Sequence, residues 1–301
     1  MTWEWQTAVY LWVAGIAGGA YLAAFLVNVF GYRRRDLVRR ATYVGVPLVI
    51  LGTLLLVYDL GKPLRAWHLF LSFRANAWEV VPGVGVASLR GFPPNIPFYP
   101  GSPMSMGSWI LFLFIAIGVV MAVLWAAESS EGRGILGWLQ PLAPVAGILS
   151  WVMAGLSVLL IAYTGVLLSA TNQPLWAGAL LLPALFVISA VATGTALLLL
   201  VEALRGRDIP HVFGRAAATL AVLEVIALAG FLLTVPSVVL VTGSLSPWFW
   251  GGVVVVGLLV PFGLELYSAR KMMAPLMIAS TLCVLLGGLV LRMVVVIGGQ
   301  V

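Results

Sequence analysis

The sequence predicts an all-α integral membrane protein of eight transmembrane helices, arranged as two four-helix bundles with both termini outside. Three observations lead there. Of 301 residues, 62% are hydrophobic and only 9% charged, at a mean hydropathy of +1.11, which is more apolar surface than one water-soluble core encloses. Apolar runs of about 20 residues recur with frequent Gly and several Pro, whereas the period-two alternation of a barrel strand is absent. Cations gather in alternate connections, as the positive-inside rule requires.

The helices are expected near 7–30, 41–60, 107–127, 143–168, 174–204, 214–235, 247–267 and 274–298. Lipid offers the backbone no hydrogen-bond partners, so runs of this length must close their bonds internally. The first run ends in a basic cluster with no small-residue cleavage site behind it, and reads as a retained helix, not a signal peptide. The connection after it, "GYRRRDLVRR", holds five arginines. "ESSEGRG" adds one cation after the third helix, "EALRGRDIPHVFGR" three after the fifth and "SARK" two after the seventh. These loops fall on one side, taken as the inner one. "SATNQP" and "VPSVVLVTGSLSPW" carry no cation on the other side, and the long outer loop of about 61–106 carries only Lys62, Arg65, Arg74 and Arg90. The net charge of +6 thus reflects topology and gives no support to nucleic-acid binding. Trp3, Trp5, Trp67, Trp109, Trp176, Trp248 and Trp250 near the outer ends, with Trp125 and Trp138 near the inner ends, read as an interfacial belt.

"GIAGGAYLAAFLVNVFGYRRRD" in the first helix echoes "SAVATGTALLLLVEALRGRD" in the fifth: small residues, an apolar run, then a basic turn ending in Asp. Both helices run from outside to inside. The echo divides the sequence into a first four-helix unit, 1–170, and a second, 171–301. Gly15 and Gly19 form a GxxxG pair whose first reading is close helix packing.

The sequence holds two histidines and one cysteine, Cys283. A disulfide or a thiolate metal cage within the chain is therefore excluded. His68 lies past the outer end of the second helix and His211 in an inner loop, so they cannot share a haem iron. Redox chemistry in such a protein requires an organic carrier, with metal centres on another subunit.

The scarce polar residues cluster. At about 1.5 Å per residue, Asp59, Tyr163 and Arg292 reach the outer third of the membrane, beside "KPLRAWH" and "YPGSPMSMGSW". Ionisable residues at that depth are expensive and default to functional readings. The alternatives are a helix-end Asp59 in headgroup water, an Arg292 that snorkels to the interface, or an Asp59–Arg292 pair. Tyr163 opens "YTGVLLS". Its phenol suits either the aromatic belt or a hydrogen bond to a carbonyl oxygen. Thr164 adds a hydroxyl, and Gly165 admits a flat ring to the backbone. Glu224 falls close to the midplane with no cation in its own segment, and reads equally as a proton relay or a protonated, hydrogen-bonded carboxyl. Glu265, near the inner end of the seventh helix, reads first as interfacial, pairing with Arg270 or Lys271, and second as a proton-transfer group.

"DLGKPLRAWHLF", "SPMSMGSWILFLF", "YTGVLLS" and "GGLVLRMVVVIGGQ", in that order, resemble the NrfD-like family, which includes the membrane subunit of polysulfide reductase. The resemblance runs from the first helix to the last residues. It implies a haem-free, eight-helix subunit of a respiratory complex in a prokaryotic cytoplasmic membrane. Such a subunit binds a quinone, menaquinone or ubiquinone, near the outer face. It exchanges electrons with a ferredoxin-like iron–sulfur subunit that serves a molybdopterin-type catalytic subunit. Tyr163 matches the tyrosine of the family's YTG-like segment, a quinone ligand; Asp59 falls on the aspartate of its DLG-P segment and Arg292 on the arginine of its last helix. His68 is added here as a second donor to a quinone carbonyl. Protons are expected to move through Asp59 and Glu224. The rival reading is a secondary transporter or proton-conducting protein built on Glu224; a third is a passive anchor for an external enzyme.

Overall fold

The computed structural model describes residues 5–32, 34–59, 103–128, 136–171, 173, 175–177, 179–206, 211–264 and 274–300. Eight principal helices follow in chain order: α1 (Trp5–Val27), α2 (Arg35–Asp59), α3 (Pro103–Glu128), α4 (Val145–Ser169), α5 (Leu182–Leu204), α6 (His211–Thr234), α7 (Trp248–Leu264) and α8 (Ala274–Gly298). All but α7 are long and apolar enough to cross a membrane; α7 is apolar but shorter. No strand occurs among the described residues. The protein is therefore a multi-pass membrane protein. Large apolar side chains such as Leu51, Ile148, Ile226 and Leu233 point outward, as a surface solvated by lipid tails permits.

The helices coincide with the expected runs to within a few residues except at two starts: α2 begins at Arg35 rather than 41, so that Arg35, Arg39 and Arg40 of the basic connection are helical, and α5 begins late. The run anticipated from 174 turns irregularly until Leu182, because Pro183 occupies the first turn. Its ring supplies no N–H and would clash with the carbonyl four residues back, so a helix can begin there but not pass through. Hydroxyls inside the spans are satisfied by their own helices: Thr42 donates to the Val38 carbonyl at 3.0 Å, Thr53 to Val49 at 2.7 Å and Ser157 to Met153 at 2.8 Å. This is the local solution available to Ser and Thr where water is absent.

Helices α1 to α4 close a ring, with α1 against α2 and α4, and α3 against α2 and α4. In the second half α5 packs on α6 and α8, and α8 on α7. Helix α1 lies at the centre, also touching α5 and α8. The GxxxG pair of α1 meets small residues of α5: a Cβ on Gly19 would run into the Ala190 carbonyl, and one on Gly194 into the backbone of Gly19 and Ala20. The two echoing segments are thus the two helices that cross backbone on backbone. A second crossing joins Gly257 of α7 to Gly287 of α8, where α7 is wound as a π-helix over Trp248–Leu259.

At the cation-rich ends the basic turn is tied to the rest of the fold by ions. Arg40 pairs with Asp36 at 3.1 Å and with the buried Glu202 of α5, while Arg39 lies 3.9 Å from Glu128 and donates to the Trp125 carbonyl. Trp176 departs from the expected belt. It is fully buried, donates its indole N–H to the Val295 carbonyl at 2.9 Å and packs against Gly299. The α4–α5 connection is thereby pinned onto the end of α8. Trp125 is buried as well, whereas Trp5, Trp138, Trp248 and Trp250 are exposed and keep the interfacial reading.

Candidate functional site

The polar residues assemble into two places rather than one. The first lies between α1, α3 and α4. Tyr163, six residues from the end of α4, is almost completely buried, and its ring rests directly on Gly107, where any Cβ would collide with it. Tyr10 of α1 lies within electrostatic reach of it. The Tyr10 hydroxyl is buried with no hydrogen-bond partner among the described residues, and so is the side-chain oxygen of Gln6, one turn earlier on the same face. A buried hydroxyl left unpaired is destabilising, so this cluster holds hydrogen-bonding capacity that the described residues do not use. The neighbours of Tyr163 in sequence serve the fold: the Thr164 hydroxyl donates to the Ile161 carbonyl at 2.7 Å, and the close backbone approach that Gly165 permits is to Pro183 of α5.

The second place lies in the other half of the molecule. Arg292 of α8 is fully buried, which removes the snorkelling alternative. One guanidinium nitrogen, Nη1, donates to Ser189 Oγ at 3.2 Å and to the Gly288 carbonyl at 2.9 Å. The Phe186 ring lies 5.3 Å from Cζ, a cation–π contact. The carboxylate that faces Arg292 is Glu224 of α6, which also takes a hydrogen bond from Ser189. Arg292 Nη2 points at α1, where a Cβ on Gly15 would sit 2.8 Å from it. Gly15 therefore does more than let helices approach, because it leaves room for a guanidinium at the junction of α1, α5 and α8. Nε and Nη2 of Arg292 are buried with no hydrogen-bond partner among the described residues, so Glu224, Ser189 and the Gly288 carbonyl together only partly compensate a charge that a bilayer makes expensive.

Of the residues singled out from sequence, Tyr163 thus stands with Tyr10 and Gly107, and Arg292 stands with Glu224 and Ser189. Asp59 ends α2, with only its backbone described; His68 and Glu265 lie outside the described residues. Sequence reasoning missed Tyr10, Ser189 and the Arg40–Glu202 pair. The last had a signal: Arg40 in the basic turn and Glu202 in "VEALRGRD" fall at matching depth on helices ending on one side. Among the described residues no group of three or more His, Cys, Asp or Glu is placed to hold a metal ion.

The fold and these sites define a class: a multi-pass helical membrane protein with a buried arginine facing a glutamate in one half and a cluster of buried tyrosines with an unpaired hydroxyl in the other. Within that class the chain belongs to the NrfD family, since the family model described as "Polysulphide reductase, NrfD" matches residues 1–301. It is 30% identical to "Protein NrfD" of Escherichia coli across its whole length and 95% of that relative. It is 28% identical to the C subunit of the polysulfide reductase of Wolinella succinogenes, again over its whole length and 95% of the relative. "Protein NrfD homolog" of Haemophilus influenzae is 23% identical over 87% of the present sequence and 82% of that protein. Proteins of this family are membrane subunits of redox complexes.

Proposed function

We propose that this protein is the quinone-binding membrane subunit of a respiratory oxidoreductase. In this reading it exchanges electrons between a menaquinone-type pool and an external ferredoxin-like iron–sulfur subunit, which serves a molybdopterin-type catalytic subunit. The observation that carries the reading is the buried cluster of Tyr163, Tyr10 and Gly107 with its unpaired Tyr10 hydroxyl, in a member of this family. Two phenols, one with an unsatisfied hydroxyl, suit a ligand with carbonyl oxygens and a flat ring, and the absence of a Cβ at Gly107 leaves the room that the Tyr163 ring fills. A bound quinone supplies two-electron, two-proton chemistry. The residues of this protein would orient it: Tyr163 and Tyr10 donate O–H to carbonyl oxygens, and the surrounding apolar helices exclude water. Asp59 and His68, at and beyond the end of α2, are kept as proposed ligands from the sequence, whereas Arg292, which stands with Ser189 and faces Glu224, is moved from the ligand set to the second unit. The geometry favours Tyr163 over Thr164 and Gly165, since the Thr164 hydroxyl and the Gly165 surface are already engaged within the fold.

The same reading gives 1–170 and 171–301 separate duties, ligand binding in the first unit and proton handling at Glu224, with Glu265, in the second. It puts the cation-rich ends inside, both termini outside and the protein in a prokaryotic cytoplasmic membrane. The test is Tyr163→Phe in the assembled complex. Quinol turnover should fall at least tenfold, the loss of one hydrogen bond of about 1.5 kcal/mol, with the subunits still copurifying. Unchanged turnover would remove Tyr163 from the site. A secondary transporter built on Glu224 is favoured by one observation, the cleft beside that residue, and predicts proton or solute flux by the isolated protein with no redox partner. A passive anchor predicts full quinol activity after loss of Tyr163 and Asp59 together.

A further inference from the structure

Glu224 is the ionisable residue shared by two clefts in the second half of the molecule. The first, with about 30 Å³ of room for water, lies between α5, α6, α7 and α8 on the cation-rich side of Glu224, from the level of Ala217 and Phe262 upward. The second, with about 10 Å³ of room for water, continues from Glu224 the other way, toward Leu228, Val253 and Leu291. Their walls differ. Ala217 and Ala221 are half-buried, Phe262 is exposed and Thr281 contributes a hydroxyl on the cation-rich side. Leu228, Val253 and Leu291 are all buried and bring no polar side chain.

We propose that the first cleft is a proton-access path that connects Glu224 to the aqueous phase at the cation-rich ends, and that the second is its closed end. The proposal deepens the reading of Glu224 as a proton-transfer group, on which it rests, by assigning the side from which the proton comes. Small side chains line the route: a helix presenting Ala at 217 and 221, one turn apart on the face that carries Glu224, leaves space that larger residues would fill. A cleft of this size takes about two waters, and waters stay only where polar groups hold them; here the Glu224 carboxyl does so, with the Thr281 hydroxyl, which donates to the Ile278 carbonyl at 2.9 Å, left only as an acceptor. The charged or hydroxylic groups facing Glu224 are Arg292 from α8 and Ser189 from α5; the described residues of α7 along the clefts bring none. A proton arriving from the cation-rich side converts the carboxylate to the acid, and its departure restores the ion with Arg292 and Ser189 as partners. Beyond Glu224 the buried Leu228, Val253 and Leu291 break the run of hydrogen-bonding groups, so exchange with the opposite side is blocked.

The test uses single cysteines in the full-length protein bearing Cys283→Ala, in everted and right-side-out membrane vesicles, with a charged, membrane-impermeant methanethiosulfonate reagent. Arg205→Cys, in an exposed turn after α5, marks the cation-rich side. Ala217→Cys and Ala221→Cys should react from that side alone, and Leu228→Cys and Leu291→Cys from neither. Reaction at 228 or 291, reaction at 217 or 221 from the opposite side, or silence at 217 and 221 while 205 reacts, as for a cleft filled by lipid chains, overturns the proposal. On the protein without added cysteines, a hydrophobic carbodiimide should form an adduct at Glu224 at a rate that follows the pH of the cation-rich side. No adduct, or a rate that follows the other side, overturns it as well. Neither measurement uses quinol turnover, so failure here leaves the Tyr163 cluster untouched, and failure of Tyr163→Phe leaves this path untouched.

Discussion

Replacing Gly194 by alanine probes the crossing of α1 and α5 where it is tightest. The new Cβ would stand 2.8 Å from Gly19 Cα and closer still to the Gly19 carbonyl carbon and the Ala20 nitrogen. Carbon atoms prefer about 3.5–4.0 Å, so the helices must part by about 1.5 Å. The obstructing atoms are backbone on one side and the Cβ of a fixed helix on the other, so no rotamer change relieves the contact. Overpacking of this kind costs about 1–3 kcal/mol, and the upper figure applies; the gain in helix propensity from Gly to Ala returns up to about 1 kcal/mol. The net loss is about 2 kcal/mol, roughly thirtyfold in the folding equilibrium. Gly155→Ala in α4 is the matched control, because a Cβ there meets nothing within 4 Å and only the propensity gain remains. Reversible unfolding in mixed micelles, followed by far-UV circular dichroism during SDS titration, should therefore separate the two variants by about 3 kcal/mol. Equal stability of the two would refute the claim that α1 and α5 meet backbone on backbone.

Gly107→Ala places a methyl group where the Tyr163 ring lies; it should lower quinol turnover as much as Tyr163→Phe does, while Gly147→Ala, with open space around it, leaves turnover unchanged in the same assay. Glu202→Ala leaves Arg40 buried with only the half-exposed Asp36 as a partner, and a broken buried pair costs about 3–5 kcal/mol. Thermal unfolding in detergent should show the loss, and adding Arg40→Met to Glu202→Ala should recover part of it. Trp176→Phe removes the hydrogen bond to Val295 and should destabilise by about 1 kcal/mol in the same SDS titration, with no change in membrane insertion.

How far the sequence reached can be read from particular residues. Spans were legible because lipid imposes a length and an apolar composition that composition alone reveals, and the start of α5 was missed because Pro183 carries its signal in backbone geometry rather than hydropathy. Depth was legible too: Glu224 and Arg292 were both flagged as intramembrane charges. Their pairing was not, because residue spacing fixes height along a helix but says nothing of its rotation or of which helix stands next to it. Arg292 was set against Asp59 on height, whereas the carboxylate facing it comes from α6. Tyr163 emerged from its motif, but Tyr10 resembled any aromatic residue in an apolar run, and only the fold reveals its unsatisfied hydroxyl. Trp176 misled for a related reason, since a tryptophan near a helix end has the same sequence signature whether it faces lipid or is folded beneath a loop.

The meeting of Gly19 with Gly194 carries a mechanical implication. A seam made of main chain has no side groups to exchange between wells, so it cannot creep by small repacking steps as an ordinary leucine-lined contact does. Helices on either side of α1 and α5 are left with rocking about that line as their cheapest relative motion. Arg292, lodged against Gly15 one turn from the pivot, would feel such a tilt as a change in its distance to Glu224.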